Sequence, residues 1–232
     1  MTTFVLVHGA WHGGWCWSRV RSALQAQGHQ VFTPTLTGVG QRSHLMSRDV
    51  NLSTHIEDIA AVLQWEDLND VVLCGHSYGG CVISGVADRM PGRIRHLVYL
   101  DAFVPENGEN LLQHAPLHAD LFLAGAREAG EGYKMPPIPA VVFNVNEADR
   151  ALVDARCTMH PLAAFQEKIK LAAPAGNGRP ATYVLATDWE GSPFPAVKQR
   201  AVAKGWRTVD MNCGHDVMLD RPAELTALLA AL

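Results

Sequence analysis

The chain has 232 residues, of which 48% are hydrophobic and 18% are charged, and its formal net charge is −4. This composition predicts one globular domain with a substantial core and excludes a disordered chain. The mild charge offers no basic surface for nucleic acid, and we expect neither a leader peptide nor a membrane segment, because no apolar run approaches about 18 residues.

Six apolar runs predict the strands of one sheet. Several are almost continuously apolar, which is typical of parallel strands that are buried on both faces. In chain order the runs are Phe4–Val7, Gln30–Thr33, Val71–Cys74, His96–Leu100, Ala181–Ala186 and Arg207–Met211.

Helical patterns lie between these strands. Apolar residues at helical spacing precede Gly28, Thr54 and Glu57 form a candidate capping box for a second helix, and a leucine-rich final helix follows Pro222. The alternation of strands and helices predicts an open α/β sheet with right-handed crossovers.

One stretch interrupts this alternation. Residues 104–178 contain helix-like pieces and a proline-rich link at 135–139, without a strong strand–helix–strand unit. We interpret this stretch as a mostly helical cap insertion, and residues 1–103 and 179–232 as the core. Open α/β sheets bind their ligands at the carboxyl edge that such a cap covers.

The sequence Gly75-His76-Ser77-Tyr78-Gly79 follows the third strand and precedes a helical segment. A serine on such a sharp strand-to-helix turn has a strained backbone and an exposed hydroxyl, as in the G-x-S-x-G pattern of serine hydrolases. We therefore predict that Ser77 is a nucleophile.

A serine nucleophile needs a base and an acid. His215 lies just beyond the last strand, where it can reach over the sheet, and we predict that it is the base. For the acid we favour Asp188, which follows the fifth strand and fits the chain order serine, acid, histidine. Asp101 and Glu190 are its rivals, and the neighbours of His215 are weaker choices.

The oxyanion of the reaction needs backbone N–H donors. One donor is expected at Tyr78, and the other at Ala10 in the glycine-bearing loop after the first strand, with Gly9 as the alternate. The same loop could cradle a phosphate, but neither nucleotide-binding pattern is present. The histidine spacings support no metal site. We expect no cofactor and no metal.

Three segments, residues 4–15, 75–80 and 214–215, together resemble the α/β-hydrolase superfamily over nearly the whole chain. Within it they look like the plant methylesterase and hydroxynitrile lyase branch and its bacterial esterase relatives. The resemblance implies the α/β-hydrolase fold, a catalytic triad of Ser77, Asp188 and His215, and an oxyanion hole at Ala10 and Tyr78.

Two positions depart from the lyases of this branch. Those enzymes carry a threonine after the first-strand histidine and a lysine beside the catalytic histidine, where this chain has Gly9 and Asp216. Glycine offers no hydroxyl for a cyanohydrin and a carboxylate repels cyanide, so both departures favour ester hydrolysis.

We therefore expect a carboxylesterase-type serine hydrolase that cleaves small to medium apolar esters through an acyl-enzyme, with Gly9, Trp11, Leu121 and Phe122 in the substrate pocket. Lyase-type C–C cleavage and a non-enzymatic ligand-binding role are the alternatives. Five scattered cysteines favour reduced thiols in a cytoplasmic protein. A homodimer is compatible with the sequence, which does not fix the oligomeric state.

Overall fold

The strands lie where the apolar runs predict them. The structure, a computed structural model, describes residues 1–232 apart from the side chain of residue 117. Its strands, in chain order, are β1 (Thr3–Val7), β2 (Gln30–Phe32), β3 (Val71–His76), β4 (Ile94–Leu100), β5 (Lys134–Met135), β6 (His160–Pro161), β7 (Ala181–Ala186) and β8 (Arg207–Met211).

Six of these strands form one sheet in the order β2-β1-β3-β4-β7-β8, and every neighbouring pair is parallel. Every residue of the central strand β3 and of β7 is buried, which explains why their sequences are nearly all apolar. In the edge strand β8, by contrast, Arg207 and Asp210 are exposed and only Met211 is buried. The predicted open parallel sheet is confirmed.

The helices flank this sheet, and α1 packs against α10 while α2 packs against α3. Short 3₁₀ turns occupy Gly14–Trp17, Gly40–Leu45, Pro91–Arg93 and Ala140–Phe143. The α-helices are α1 (Ser18–Ala26), α2 (Leu52–Trp65), α3 (Gly79–Arg89), α4 (Leu111–His114), α5 (Pro116–Ala129), α6 (Glu147–Arg156), α7 (Ala163–Gln166), α8 (Phe194–Ala203), α9 (Val217–Asp220) and α10 (Pro222–Ala230).

Helix α2 begins one turn earlier than the sequence pattern indicates. The side chain of Asn51 accepts a hydrogen bond from the backbone N–H of Thr54, and the Thr54 hydroxyl accepts one from the N–H of Asn51. The predicted capping box of Thr54 and Glu57 is therefore wrong, because an asparagine three residues upstream satisfies the free N–H groups first.

The segment between β4 and β7 contains helices α4 to α7 and a small antiparallel ribbon of β5 and β6, which the sequence did not indicate. Helix α7 packs on α2, which connects this segment to the helices beside the sheet. Among the described helices, none is both long and apolar enough to cross a membrane.

Candidate active site

Ser77 sits on the turn between β3 and α3 with a φ of +54°, a left-handed conformation that a side chain disfavours. Three backbone hydrogen bonds hold it there. Its N–H donates to Leu100, and its carbonyl accepts from Gly80 and Phe103. The serine therefore stands at the carboxyl edge of the sheet in a conformation that the surrounding backbone enforces.

The turn closes so tightly because Gly75 has no side chain. A Cβ atom at this position would lie 2.5 Å from the carbonyl oxygen of Gly79, closer than any side chain tolerates. The end of β3 and the start of α3 can then approach each other and expose the Ser77 hydroxyl.

His215 lies on the loop between β8 and α9 and is buried. Its Nδ1 is 2.6 Å from Oδ2 of Asp101, so this nitrogen carries the proton and Nε2 is the nitrogen left for a substrate or serine. The backbone is fixed on both sides, because the N–H of His215 donates to Phe143 and its carbonyl accepts from Nε2 of His76. Ser77 and His215 line the same pocket, and among the described contacts no hydrogen bond joins their side chains.

Asp101 directly follows β4 and is fully buried. Its φ is +42°, a second strained position in the site. The N–H of Ala186 donates to its Oδ1 at 3.1 Å, and its own N–H donates to Val184 at 2.6 Å. The carboxylate is thus held between the ends of two neighbouring strands and faces the ring of His215.

The structure places Asp101, and not the predicted Asp188, beside the ring of His215. Asp188 is exposed and lies away from the imidazole, where its carbonyl accepts from the side chain of Asn144. The next residue, Trp189, has its ring 4.7 Å from the ring of His215 instead. Asp101 lies nearer to the site because β4 lies between β3 and β7, so its end is closer to Ser77 than the end of β7 is.

Burial sets the protonation of the pair. It lowers the pKa of His215 to about 4, although the nearby charge of Asp216 opposes the shift, so the ring is neutral and able to accept a proton near pH 7. Burial also raises the pKa of the Asp101 carboxyl, and the N–H of Ala186 opposes that effect by stabilising the ionised form.

Two backbone N–H groups face the same space. Ala10 and Tyr78 both line the pocket with Ser77, and among the described residues neither amide N–H has a hydrogen-bond acceptor. The Tyr78 N–H is at the start of α3, where the helix dipole favours negative charge. The Tyr78 side chain is tied down elsewhere, because its hydroxyl donates to Nδ1 of His55 at 2.8 Å.

The pocket above Ser77 has a volume of about 290 Å³ and a mostly apolar lining. The predicted pocket residues Trp11, Leu121 and Phe122 line it, and Gly9 does not. Among the described side chains of the lining, none is Lys, Arg, Asp or Glu. The remaining lining includes Phe103, Leu111, Ala115, His118, Met135, Pro136, Ile138, Val142, Phe143, Phe165, Trp189 and Phe194.

Gly9 is placed behind the nucleophile rather than in the pocket. A Cβ atom at this position would lie 2.9 Å from Cβ of Ser77 and 2.9 Å from Nδ1 of His76. Gly9 therefore lies outside the pocket lining in which we predicted it, and its lack of a side chain lets the loop after β1 pass close to the serine.

Several buried histidines surround the site, and the sequence analysis assigned none of them a role. His8, His12, His55, His76 and His160 are all buried and packed around the ends of β1 and β3. His8, His12 and His76 lie within the motifs, whereas nothing in the sequence marks His55 and His160. Among the described residues, no group of three or more His, Cys, Asp or Glu side chains is arranged to hold a metal ion.

Comparison with known proteins gives one consistent result. A model described as the alpha/beta hydrolase family matches residues 4–228. A carbendazim hydrolyzing esterase from Nocardioides sp. (strain SG-4G) is 47% identical over 241 residues, which covers 100% of both chains. Methylesterase 2 of Arabidopsis thaliana is 36% identical over 115 residues, which is 49% of this chain and 42% of that protein.

The fold comparison agrees. An extracellular alpha/beta-hydrolase from a Paenibacillus species, described as sharing homology with tobacco salicylic acid binding protein 2, matches with a TM-score of 0.85 at 23% identity. The match covers 100% of this chain and 98% of that one. Sequence and fold thus point the same way over the whole length of the chain.

Proposed function

We propose that this chain, which belongs to the alpha/beta hydrolase family, hydrolyses uncharged esters through an acyl-enzyme formed on Ser77. The observation that carries the mechanism is the 2.6 Å hydrogen bond between His215 and Asp101 beside a pocket that Ser77 also lines. An oriented imidazole next to a strained, exposed serine is the arrangement that activates a hydroxyl for acyl transfer.

The predicted class of reaction, carboxylic-ester hydrolysis, is confirmed by the relatives. The esterase that matches over its full length and the plant methylesterase are both named for ester cleavage. The residue roles within that class are our proposal.

In the first half of the proposed reaction, Nε2 of His215 takes the proton of Ser77 while Oγ attacks the ester carbonyl. Asp101 keeps the proton on Nδ1 and stabilises the imidazolium that forms. The carbonyl oxygen becomes an oxyanion and accepts from the N–H groups of Ala10 and Tyr78. The imidazolium then protonates the leaving alkoxide, the C–O bond breaks, and the alcohol departs.

In the second half, water replaces the alcohol. Nε2 of His215 takes one proton of the water as its oxygen attacks the acyl carbon, and the same two N–H groups bind the second oxyanion. Collapse of this intermediate breaks the bond to Oγ of Ser77, which recovers its proton from His215. The products are a carboxylic acid and the free enzyme, so the atoms balance without a cofactor.

The pocket defines the substrate class. Aromatic and aliphatic side chains surround a space of about 290 Å³, and the described lining offers no charged partner. A substrate with a charge would leave that charge desolvated and unpaired, which is strongly unfavourable. We propose small to medium, neutral, apolar esters, and carbendazim is the first compound to test because a full-length relative is named for its hydrolysis.

The lyase alternative is disfavoured at two positions. A threonine in place of Gly9 would bring its Cβ within 2.9 Å of Ser77, so the hydroxyl that holds a cyanohydrin has no room here. The residue next to His215 is Asp216, a buried carboxylate that pairs with His12. Asp216 brings a negative charge to the place where the lyases have a lysine, so it cannot stabilise cyanide. A ligand-binding role without catalysis does not account for the oriented pair of His215 and Asp101.

We propose the same division of the chain as the sequence suggested. Residues 104–178 form a cap that recognises the substrate, and residues 1–103 and 179–232 form the catalytic core. The cap supplies Leu121 and Phe122 to the pocket, and the core supplies Ser77 and His215. All five cysteines are free thiols, which supports the proposal of a reducing, cytoplasmic location.

The test is replacement of Ser77 by alanine. The rate of turnover of p-nitrophenyl esters of rising chain length, methyl esters of aromatic acids, lactones and carbendazim is measured for both proteins. We expect kcat of Ser77→Ala to be lower by a factor of about 10⁶ for every compound that the natural protein hydrolyses. Retention of ester turnover would remove Ser77 from the mechanism, and cyanide release from mandelonitrile without ester turnover would favour the lyase.

A further inference from the structure

His12 has an unusual hydrogen-bonding situation. Its Nδ1 is 2.8 Å from the carbonyl oxygen of Ala10, and its Nε2 is 3.0 Å from Oδ2 of Asp216. Both partners can only accept, so both ring nitrogens must carry a proton. His12 is therefore an imidazolium, and Asp216 is the carboxylate that balances it.

This ion pair is buried, since His12 is 3% exposed and Asp216 is fully covered. Burial alone would lower the pKa of His12, but the contact with Asp216 raises it well above its ordinary value, and the same contact holds the pKa of Asp216 below its ordinary value. Removing two charges from water is expensive, and a buried pair of this kind is weak evidence for a stabilising role. Its position in the site suggests another use.

One end of the pair holds the loop that carries the oxyanion donor. His12 binds the carbonyl of Ala10, Trp11 N–H donates to Nδ1 of His160 at 3.3 Å, and Nδ1 of His8 donates to the carbonyl of Gly9 at 2.7 Å. These contacts fix the two peptide units on either side of the Ala10 α-carbon. Such fixing is needed because Trp11 has a φ of +63°, which is strained for a tryptophan.

The other end of the pair holds the loop that carries the base. Asp216 follows His215 directly, and its carbonyl accepts from the N–H groups of Leu219 and Asp220 in α9. The side chain therefore connects the start of α9 and the base to the loop after β1. No other described hydrogen bond between side chains joins these two loops.

We propose that His12 and Asp216 are positioning residues that hold the N–H of Ala10 at a fixed distance from His215. The inference rests on the proposed function, in which Ala10 binds the oxyanion and His215 moves the proton. Neither residue contacts the substrate, because neither lines the pocket. Their effect falls on the transition state, in which the oxyanion is present, and leaves ground-state binding nearly unchanged.

The test compares two replacements of His12 that each keep one of its contacts. In His12→Asn the amide nitrogen takes the place of Nδ1 and still donates to Ala10, while the contact with Asp216 is lost. In His12→Gln the amide nitrogen takes the place of Nε2 and still reaches Asp216, while the contact with Ala10 is lost. Both variants lose the charge of His12, so both are expected to melt earlier than the natural protein.

Complete loss of an oxyanion donor lowers kcat by about 10²–10³, so we expect a loosened donor in His12→Gln to lower kcat by about 10- to 100-fold. We expect His12→Asn, which keeps the contact with Ala10 but loses the connection to Asp216, to lower kcat by a smaller factor of about five- to tenfold. Both variants are expected to keep KM within about twofold. The inhibition constant of a trifluoromethyl ketone, which forms an oxyanion on the serine, is expected to rise in His12→Gln by the same factor as kcat falls.

Asp216 provides a second comparison that does not depend on the fold of the His12 variants. In Asp216→Asn a neutral His12 can still donate to Ala10 and accept from the new amide, so we expect kcat within about threefold. Asp216→Ala breaks the connection, and we expect about a tenfold loss of kcat. Cys157→Ala is the matched control, since its Sγ lies 3.8 Å from the His12 ring but holds neither loop.

The outcomes are distinct. A split in kcat between His12→Asn and His12→Gln, with rescue by Asp216→Asn, supports the positioning role. Equal kcat in the two His12 variants, or losses that simply follow the fraction of folded protein, would overturn it. Ser77→Ala is measured in the same series. If it stays active the proposed function fails, whereas an inactive Ser77→Ala with equal His12 variants overturns only the positioning role.

Discussion

The floor of the pocket and its wall are built in opposite ways. The floor consists of Ser77, His215, Ala10 and Tyr78, which follow the ends of the parallel strands. Asp101 lies behind His215, and buried hydrogen bonds hold both residues. The wall consists mostly of apolar side chains from residues 104–178, and some of them are largely exposed, such as Leu121 at 59% and Val142 at 52%.

The difference separates two tasks. Polar groups in a covered floor keep their geometry because buried hydrogen bonds fix the backbone that carries them. An apolar wall without charges recognises shape and hydrophobic area, which tolerates variation. We therefore expect changes in the floor to act on kcat and changes in the wall to act on KM and on the range of substrates.

The largest expected effect is on the acid. In Asp101→Asn the imidazole loses its anionic partner and can adopt the wrong tautomer, so we expect kcat to fall by about 10⁴. Asp188→Asn is the matched control, because Asp188 is exposed and contacts the ring nowhere; we expect its kcat within about twofold. Steady-state kinetics on one p-nitrophenyl ester compares the kcat of the two variants. A larger loss of kcat in Asp188→Asn than in Asp101→Asn would restore Asp188 as the acid.

The next effect concerns the wall. Phe122 is 9% exposed and packs against Trp11 and Phe165 in the pocket. Its replacement by alanine removes a hydrophobic surface worth about 1.5–3 kcal/mol, so we expect KM for aromatic esters to rise about tenfold or more with little change in kcat. Leu121→Ala, at an exposed wall position, is the milder control. A loss of kcat alone in Phe122→Ala would contradict the division between floor and wall.

The acid limb of the pH profile tests the floor in a different way. A base acts in its neutral form, so kcat/KM is lost as pH falls through its pKa. Burial lowers the pKa of His215 to about 4, which places this limb below the ordinary histidine value of 6.5. The profile of kcat/KM between about pH 4 and pH 8 measures it. An acid limb above pH 6.5 would show that a nearby negative charge, and not burial, determines the pKa of His215.

The smallest effect is on the attachment of the cap. Arg19 of α1 binds both carboxylate oxygens of Asp149 in α6, at 2.7 and 2.6 Å. Arg19→Ala leaves the buried carboxylate with fewer partners, and because the arginine is partly exposed we expect a loss of about 1–2 kcal/mol in the free energy of unfolding. Urea unfolding measures it. Arg21→Ala, whose arginine is exposed, is expected to change stability by less than about 0.5 kcal/mol.

The sheet could be predicted from the sequence because burial on both faces leaves an unmistakable apolar run at each strand. The positions of Ser77 and His215 in one site could be predicted because Ser77 lies in a local motif and His215 on a loop at a fixed point of the fold. The helix pattern was less reliable at its ends, as the cap of α2 shows, since Asn51 competes for the same N–H groups as the expected box.

The acid and the buried histidines could not be placed in the same way. The choice between Asp101 and Asp188 depends on which strand lies next to β3 and on where each side chain turns, and neither is a local property of the sequence. The pairing of His12 with Asp216 joins residues 204 positions apart. No short pattern encodes such a contact, and the ribbon of β5 and β6 is too short to leave a period.

The most direct measurement is the mass of the protein during turnover. A slowly released p-nitrophenyl ester is mixed with the enzyme, the reaction is stopped in acid within the burst, and the digested protein is examined by mass spectrometry. We predict one added acyl group on the peptide that contains Ser77. The corresponding peptide of Ser77→Ala should carry no acyl group. Steady ester turnover with no acylated peptide, or with the acyl group on another residue, would contradict this prediction.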